Sequence, residues 1–302
     1  MIASMKKLVV IFLAILTSTA LARETVTVVY PWGMGDPMAN YTRTLLEVAN
    51  RQQDNFVFVL ENRPGAGGAI AARHVQNTPN SILAGSTAFF VRPNFYPETS
   101  HDIDKFRPLM TQCTVPMVIT SNRYSSWAAI AKDSNLLVGV SGLGATTHLI
   151  ALQIKQKYSN ITVVPYKSTQ DSTLDLVGAR IDINVGFPQE VAQWIAEGKA
   201  HGLGVTGSRS VNGIATMSSL GYRNMDRMGN GHSLIVNGQV PQSKFLEWRR
   251  ILLQASKDST VRQSYAVDHC VPMDFDLDQT NRWYAQQVIF WKQQSNSVEL
   301  SK

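Results

Sequence analysis

Three stretches of this chain set glycines beside small polar residues, each where an apolar, β-branched run gives way to a helical pattern. They are Pro31-Trp32-Gly33-Met34-Gly35-Asp36, Glu61-Asn62-Arg63-Pro64-Gly65-Ala66-Gly67-Gly68 and Ser141-Gly142-Leu143-Gly144-Ala145-Thr146-Thr147-His148. At a strand-to-helix turn the first backbone N–H groups of the helix have no intrahelical partner and carry partial positive charge. Glycine lets an anion approach the backbone, and Ser or Thr hydroxyls add donors. A carboxylate or phosphate is the natural guest. One such turn is explained by tight-turn geometry alone. Several in one chain, at the carboxyl ends of expected strands, point to an anion site, because open α/β sheets place ligands there.

The motifs that would turn binding into chemistry fail on inspection. Gly65-Ala66-Gly67-Gly68-Ala69-Ile70 lacks the last glycine of a dinucleotide fingerprint, and no Gly-Lys-Ser/Thr of a P-loop is present. Gly139-Val140-Ser141-Gly142-Leu143 is similar to a nucleophile elbow but has Leu where the second outer glycine belongs. The histidines His74, His101, His148, His201, His232 and His269 show no metal-ligand spacing. His148, at the start of an expected helix, reads as a cap or packing residue. The expectation is a binding protein with no metal and no cofactor, not an enzyme. An exported serine hydrolase using Ser141 and His148 is the disfavoured alternative.

The elements that hold these turns suit an α/β protein. The chain has 302 residues, 44% hydrophobic and 17% charged, with no low-complexity block. That length exceeds one compact core and suits two lobes. The net charge of +6 is scattered and not clustered on one element, which argues against nucleic-acid binding. Thr25–Tyr30, Phe56–Leu60 and Ser81–Gly85 read as strands, with helices at Asn40–Arg51 and Ala69–Gln76, a rhythm that predicts a parallel, doubly wound sheet. It restarts after Pro108. Strands are expected at Met117–Thr120, Leu136–Val140, Ile161–Val164, Ile181–Val185 and His201–Thr206. Helices are expected at Thr147–Lys157, Thr173–Val177 and Glu190–Glu197. Ser233–Val236 reads as a further strand, followed by helices at Phe245–Asp258 and Leu277–Gln294.

Met1–Ala22 has the parts of a secretory signal: Lys6 and Lys7, the apolar run Leu8–Leu16, and Ala20-Leu21-Ala22 for cleavage. The run is too short for the roughly 20 residues of a membrane-spanning helix. Export to an oxidising compartment would permit a disulfide between Cys113 and Cys270, and the sequence equally allows two separate buried thiols. Trp32, Phe89 and Phe90 could wall a cleft, although packing is the favoured role for the two phenylalanines. Lys167, Arg180 and the pair Arg249-Arg250 read as solvated charges.

Val59-Leu60-Glu61-Asn62-Arg63-Pro64-Gly65-Ala66-Gly67-Gly68 resembles the V-E-N-R-P-G-A-G-G signature of the substrate-binding proteins of tripartite tricarboxylate transporters, the Bug family of periplasmic receptors. Ser141 to Leu149, Val164-Pro165-Tyr166-Lys167, Leu176 to Asp182 and Gly198 to Ser210 are similar to further segments of that family, in the same order. The first turn departs from the family's P-G-G-x-(S/T)-D, and Asn40 is a second candidate for its Asp position. The resemblance implies a two-lobed periplasmic-binding-protein fold of the Venus-flytrap type II class. Residues 1–22 would be the signal peptide, 23–112 plus 229–302 lobe 1, and 113–228 lobe 2. A small organic carboxylate would be captured between the lobes and handed to membrane transporter subunits. A sensor that reports ligand to a membrane signalling protein is the alternative. Carried over residue by residue, the resemblance nominates Gly35, Asp36, Gly65, Ala66, Ser86, Thr87, Ser141, Gly144, Ala145, Thr146 and Asn184 as ligand-binding.

Overall fold

A computed structural model describes residues 23–298; the expected signal segment, 1–22, lies outside the described residues. In chain order the elements are β1 (Glu24–Tyr30), α1 (Pro37–Arg51), β2 (Phe56–Asn62), α2 (Ala69–Gln76), β3 (Ser81–Gly85), α3 (Ala88–Phe95) and β4 (Phe106–Val115). There follow β5 (Val118–Ser121), α4 (Trp127–Ile130), β6 (Leu136–Val140), α5 (Thr146–Lys157), β7 (Ile161–Pro165), α6 (Thr169–Val177), β8 (Ile183–Gly186), α7 (Pro188–Ala196) and β9 (His201–Val205). The chain ends with β10 (Asn230–Asn237), α8 (Gln242–Ala255), α9 (Ser259–Val267), β11 (Val271–Pro272) and α10 (Leu277–Asn296).

The strands form two sheets, ordered β11-β4-β10-β3-β1-β2 and β7-β6-β8-β5-β9. The chain crosses to the second sheet between Val115 and Val118 and returns after Val205. In each sheet the expected βαβ unit supplies three parallel strands, β2-β1-β3 and β7-β6-β8. The added strands are antiparallel: β10 to β3 and β4, and β5 to β8 and β9. Each sheet is therefore mixed, where the alternating pattern alone predicts a parallel one.

Local chemistry explains the elements around the turns. β1 buries Val26, Val28, Val29 and Tyr30, as its β-branched and aromatic residues require. Asp36 caps α1 by accepting from the Met38 amide at 2.8 Å, and Pro37 occupies the first helical position, where a missing N–H costs nothing. Met38, Tyr41, Leu45, Val48 and Ala49 then form the stripe that α1 buries on its sheet.

Three departures from the sequence reading have physical causes. β4 runs through Pro108, which read as a break; Pro108 faces Ile235 next to a register shift in β10, the place where a strand tolerates proline. The long helix expected to Asp258 stops at Ala255, and Asp258 instead caps α9 through the Thr260 amide at 2.8 Å. Arg249 is not a solvated charge. It is 5% exposed, and its guanidinium donates to the carbonyls of Leu109 and Phe275. Arg250 does lie on the exposed face. Phe89 and Phe90 pack edge-to-face in the core, 5.1 Å between ring centroids, as favoured. Of the two states the sequence allowed for Cys113 and Cys270, the structure takes the disulfide, with Cα atoms 5.5 Å apart.

Candidate functional site

The amino ends of five helices, α1, α3, α5, α6 and α7, meet in a crevice between the two sheets. Trp32, Asp36, Met38, Ser86, Asn230 and His232 line it from the first sheet's side. Ser141, Ala145, Thr146, Thr147, Thr169 and Phe187 line it from the second. The space left is about 20 Å³, room for roughly one water molecule, so this is a tightly closed form. A larger concavity of about 560 Å³, between Pro116, Gly207–Val211 and His269–Pro272, brings together none of the nominated residues.

The structure divides the nominated residues. Asp36, Ser86, Ser141, Ala145 and Thr146 face the crevice. The first turn abuts α6: a Cβ on Gly35 would lie 2.7 Å from the Gln170 side chain. Gly65 and Ala66 belong to a turn that meets the third turn outside the crevice, since a Cβ on Gly67 would stand 3.0 Å from the Leu143 carbonyl. Arg92 donates to that same carbonyl at 2.8 Å. Thr87 is engaged within the fold, its amide donating to Asn230 Oδ1 at 3.2 Å and its hydroxyl accepting from the Gly231 amide at 2.7 Å. The Gly144 amide donates to His148 Nδ1 at 3.0 Å. Asn184 is buried and spends its amide on Ser172 and Thr173.

The third turn offers the open anion position. Ala145 gives α5 no side-chain cap, so the first-turn amides at Thr146 to His148 have no partner within the helix. The Thr147 hydroxyl accepts from the Ser141 amide and pairs with the Ser141 hydroxyl, both at 2.9 Å. Thr146 Oγ1 is buried with no hydrogen-bond partner, and so are both ring nitrogens of His232 across the crevice. Buried polar atoms left unpaired cost about 1–3 kcal/mol each, and a guest's carboxylate could accept from Thr146 Oγ1 and from the single N–H of the neutral His232 ring. His148, tied to Gly144 and set against Phe95, is not paired with Ser141 as a hydrolytic dyad requires.

Sequence reasoning missed His232, Asn230, Thr169 and Phe187. The available signal was compositional: Asn230-Gly231-His232-Ser233 puts polar groups into a strand that is buried along its whole length. Also missed was Glu190, whose Oε1 accepts from Thr169 Oγ1 at 2.8 Å and whose Oε2 accepts from the Phe187 amide at 3.1 Å.

The site's electrostatics run against its helix ends. Burial, with a smaller contribution from Asp268, pushes the Asp36 carboxyl up to about 6, although the Met38 amide and Tyr30 hydroxyl oppose it. Burial first and then the Asp36 charge push Glu190 up to about 8. Burial holds His232 down at about 3, so it is a neutral imidazole at physiological pH. Among the described residues, no lysine or arginine lines the crevice.

The family model described as the tripartite tricarboxylate transporter family receptor matches residues 42–297. The chain belongs to that family. The UPF0065 protein in the tcbD-tcbE intergenic region of Pseudomonas sp. (strain P51) is 29% identical to this receptor over 189 residues. That match spans 58% of the receptor and 55% of the relative, little more than half of its length. The structure of the periplasmic binding protein BugD superposes with a TM-score of 0.81 at 23% identity, covering 91% of this receptor and 97% of BugD. MatC (Rpa3494) from Rhodopseudomonas palustris, with bound malate, gives a TM-score of 0.80 at 18% identity, covering 90% and 99%. The two-sheet, two-lobed α/β fold of this receptor is the fold of these binding proteins.

Proposed function

We propose that this receptor is exported to the periplasm, closes its lobes on a small organic carboxylate, and delivers it unaltered to the membrane subunits of a tripartite tricarboxylate-type transporter. Residues 1–22 are the removed signal peptide, 23–112 with 229–302 form lobe 1, and 113–228 form lobe 2, with residues 113–115 at the boundary still paired in the first sheet. The observation that carries the reading is the uncapped start of α5, where Thr146 Oγ1 is unpartnered and the unpartnered ring of His232 lies across the crevice. Membership of the receptor family, and the malate held by MatC, support a carboxylate over a phosphate. Of the nominated residues, Ser141, Ala145 and Thr146 hold the carboxylate, Ser86 faces it, and Gly35, Gly65, Ala66, Thr87, Gly144 and Asn184 shape the turns behind. Every carboxylic acid is larger than the present space, so the lobes part to admit it, and binding favours closure only through higher affinity for the closed state.

Thermal denaturation with a panel of mono-, di- and tricarboxylates tests the binding. At one hundred times its Kd, a ligand adds about 2.7 kcal/mol, a rise in Tm of roughly 5 °C or more for a chain of this size. If no member raises Tm at saturating concentration, the reading fails. Amino-terminal sequencing of the periplasmic protein should begin at Arg23, and a product retaining Met1 would refute the export step.

A further inference from the structure

His232 lines the crevice, yet no side chain or backbone group among the described residues bonds to its imidazole. Both ring nitrogens are buried without a hydrogen-bond partner, and the residue is 1% exposed. Burial keeps the ring neutral, with one N–H and one lone pair. The tautomer and orientation of such a ring are ordinarily set by a hydrogen bond to its second nitrogen. Here contact alone sets them. The backbone is pinned on one side of His232: Asn230 Oδ1 accepts from the Thr87 amide at 3.2 Å, and the Gly231 amide donates to Thr87 Oγ1 at 2.7 Å. On the other side the ladder slips by one residue, with His232 facing Cys113 and Ser233 facing Thr111. Such an irregularity re-aims the side chain beside it.

Three surfaces hold the imidazole. The ring centroids of Tyr41 and Phe187 lie 5.5 Å and 6.4 Å from its own. The third surface is the bond between Cys113 and Cys270, since one ring nitrogen lies within 4.8 Å of both sulphurs. Cys113 is the cross-strand partner of His232, and Cys270 stands just before β11, whose Pro272 pairs with Cys113 from the other edge. We infer that Cys113 and Cys270 are positioning residues for the ligand: their bond is the wall that holds the His232 imidazole with its N–H turned to the guest carboxylate. This rests on the carboxylate-receptor reading and deepens it by naming what aims one of its donors. A bonded pair of sulphurs has no S–H to donate to the imidazole lone pair, and it is fixed at both ends. Two separate thiols each carry a weak donor and a weak acceptor and turn freely, so they compete with the guest for the ring. Protein interiors are packed too densely for the imidazole to ignore such a change beside it.

A thermodynamic cycle tests this, with the bond and the imidazole removed singly and together. The bond is removed by two routes. One is the paired substitution Cys113→Ala and Cys270→Ala. The other is dithiothreitol, which gives two electrons and two protons to the bond, closes to its own cyclic disulfide and leaves two cysteine thiols. His232→Phe removes the N–H and keeps a ring in the same place. Isothermal titration calorimetry follows whichever of malate, adipate, citrate and butanoate binds the bonded wild-type protein most tightly. Loss of the bond should weaken that acid about fivefold or more in the wild-type sequence, and less than about twofold in the His232→Phe background, where no charged hydrogen bond is left to misdirect. Tm should fall alike in both backgrounds, because the lost cross-link destabilises each. Equal losses of affinity in the two backgrounds, no loss in either, or a chain that unfolds by both routes overturns the inference and leaves the carboxylate-receptor reading standing. If none of the four acids binds the bonded protein, the receptor reading fails, and this inference fails with it.

Discussion

Thr146 is the most exacting position in the crevice, because its hydroxyl is buried and has nothing to bond except a guest. Thr146→Val keeps the shape and removes the donor. It should leave Tm of the free protein unchanged or higher, since an orphaned polar atom disappears. It should also weaken the preferred carboxylate by about 1.5–3 kcal/mol, the worth of a hydrogen bond to a charged group; calorimetry on the two proteins checks both effects. Glu190 gives a pH signature. In the folded, closed form it holds its proton up to about 8, against an ordinary value of 4.5. Between those values the folded state carries more protons than the unfolded one, so its stability falls as pH rises. The favourable contribution is complete below the ordinary value and lost on passing about 8. Glu190→Gln should therefore flatten the decline of Tm between pH 5 and pH 8, and an unchanged slope would remove Glu190 as the cause. Thr146 and Ser141 were legible beforehand because hydroxyls beside glycines at a strand-to-helix turn form a local pattern. His232 and Glu190 were not, because each gains its role from residues on the opposite sheet.

Most helices and strands could be read from apolar periodicity, and α2, β3 and β6 match their expected bounds residue for residue. The failures lie where one residue has two meanings. Pro108 breaks a helix or a central ladder but sits comfortably beside an irregular register, and so β4 was hidden. Arg249 and Arg250 are neighbours of the same type, yet the rotation of about 100° between successive residues of α8 sends the first inward to the carbonyls of Leu109 and Phe275 and the second into solvent. That inward guanidinium ties α8 to β4 and to the chain entering α10. Arg249→Ala should cost about 2–4 kcal/mol, from lost charged hydrogen bonds and the carbonyls left bare. Arg250→Ala should stay within about 0.5 kcal/mol. Urea unfolding of the two variants side by side provides the comparison, and equal losses would contradict the assignment.

The division into two sheets followed from length and from the restart of the strand–helix rhythm. The order of strands did not, because β10 and β11 return from far along the chain to complete the first sheet, and no local pattern encodes that return. Closure is recorded in contacts between the halves: Arg92 with the Leu143 carbonyl, and Gln153 with Gln294 at 3.0 Å. The bond between Cys113 and Cys270 spans 157 positions, and all five strands of the second sheet lie inside the loop it closes. A protease that clips any surface turn within that covalent ring yields two pieces that cannot drift apart. On a denaturing gel without thiol, the nicked receptor should migrate as one band, and dithiothreitol should split it into two. The entire second sheet is thus threaded on a closed ring whose clasp is fastened at the edge of the first, between β4 and the residue before β11.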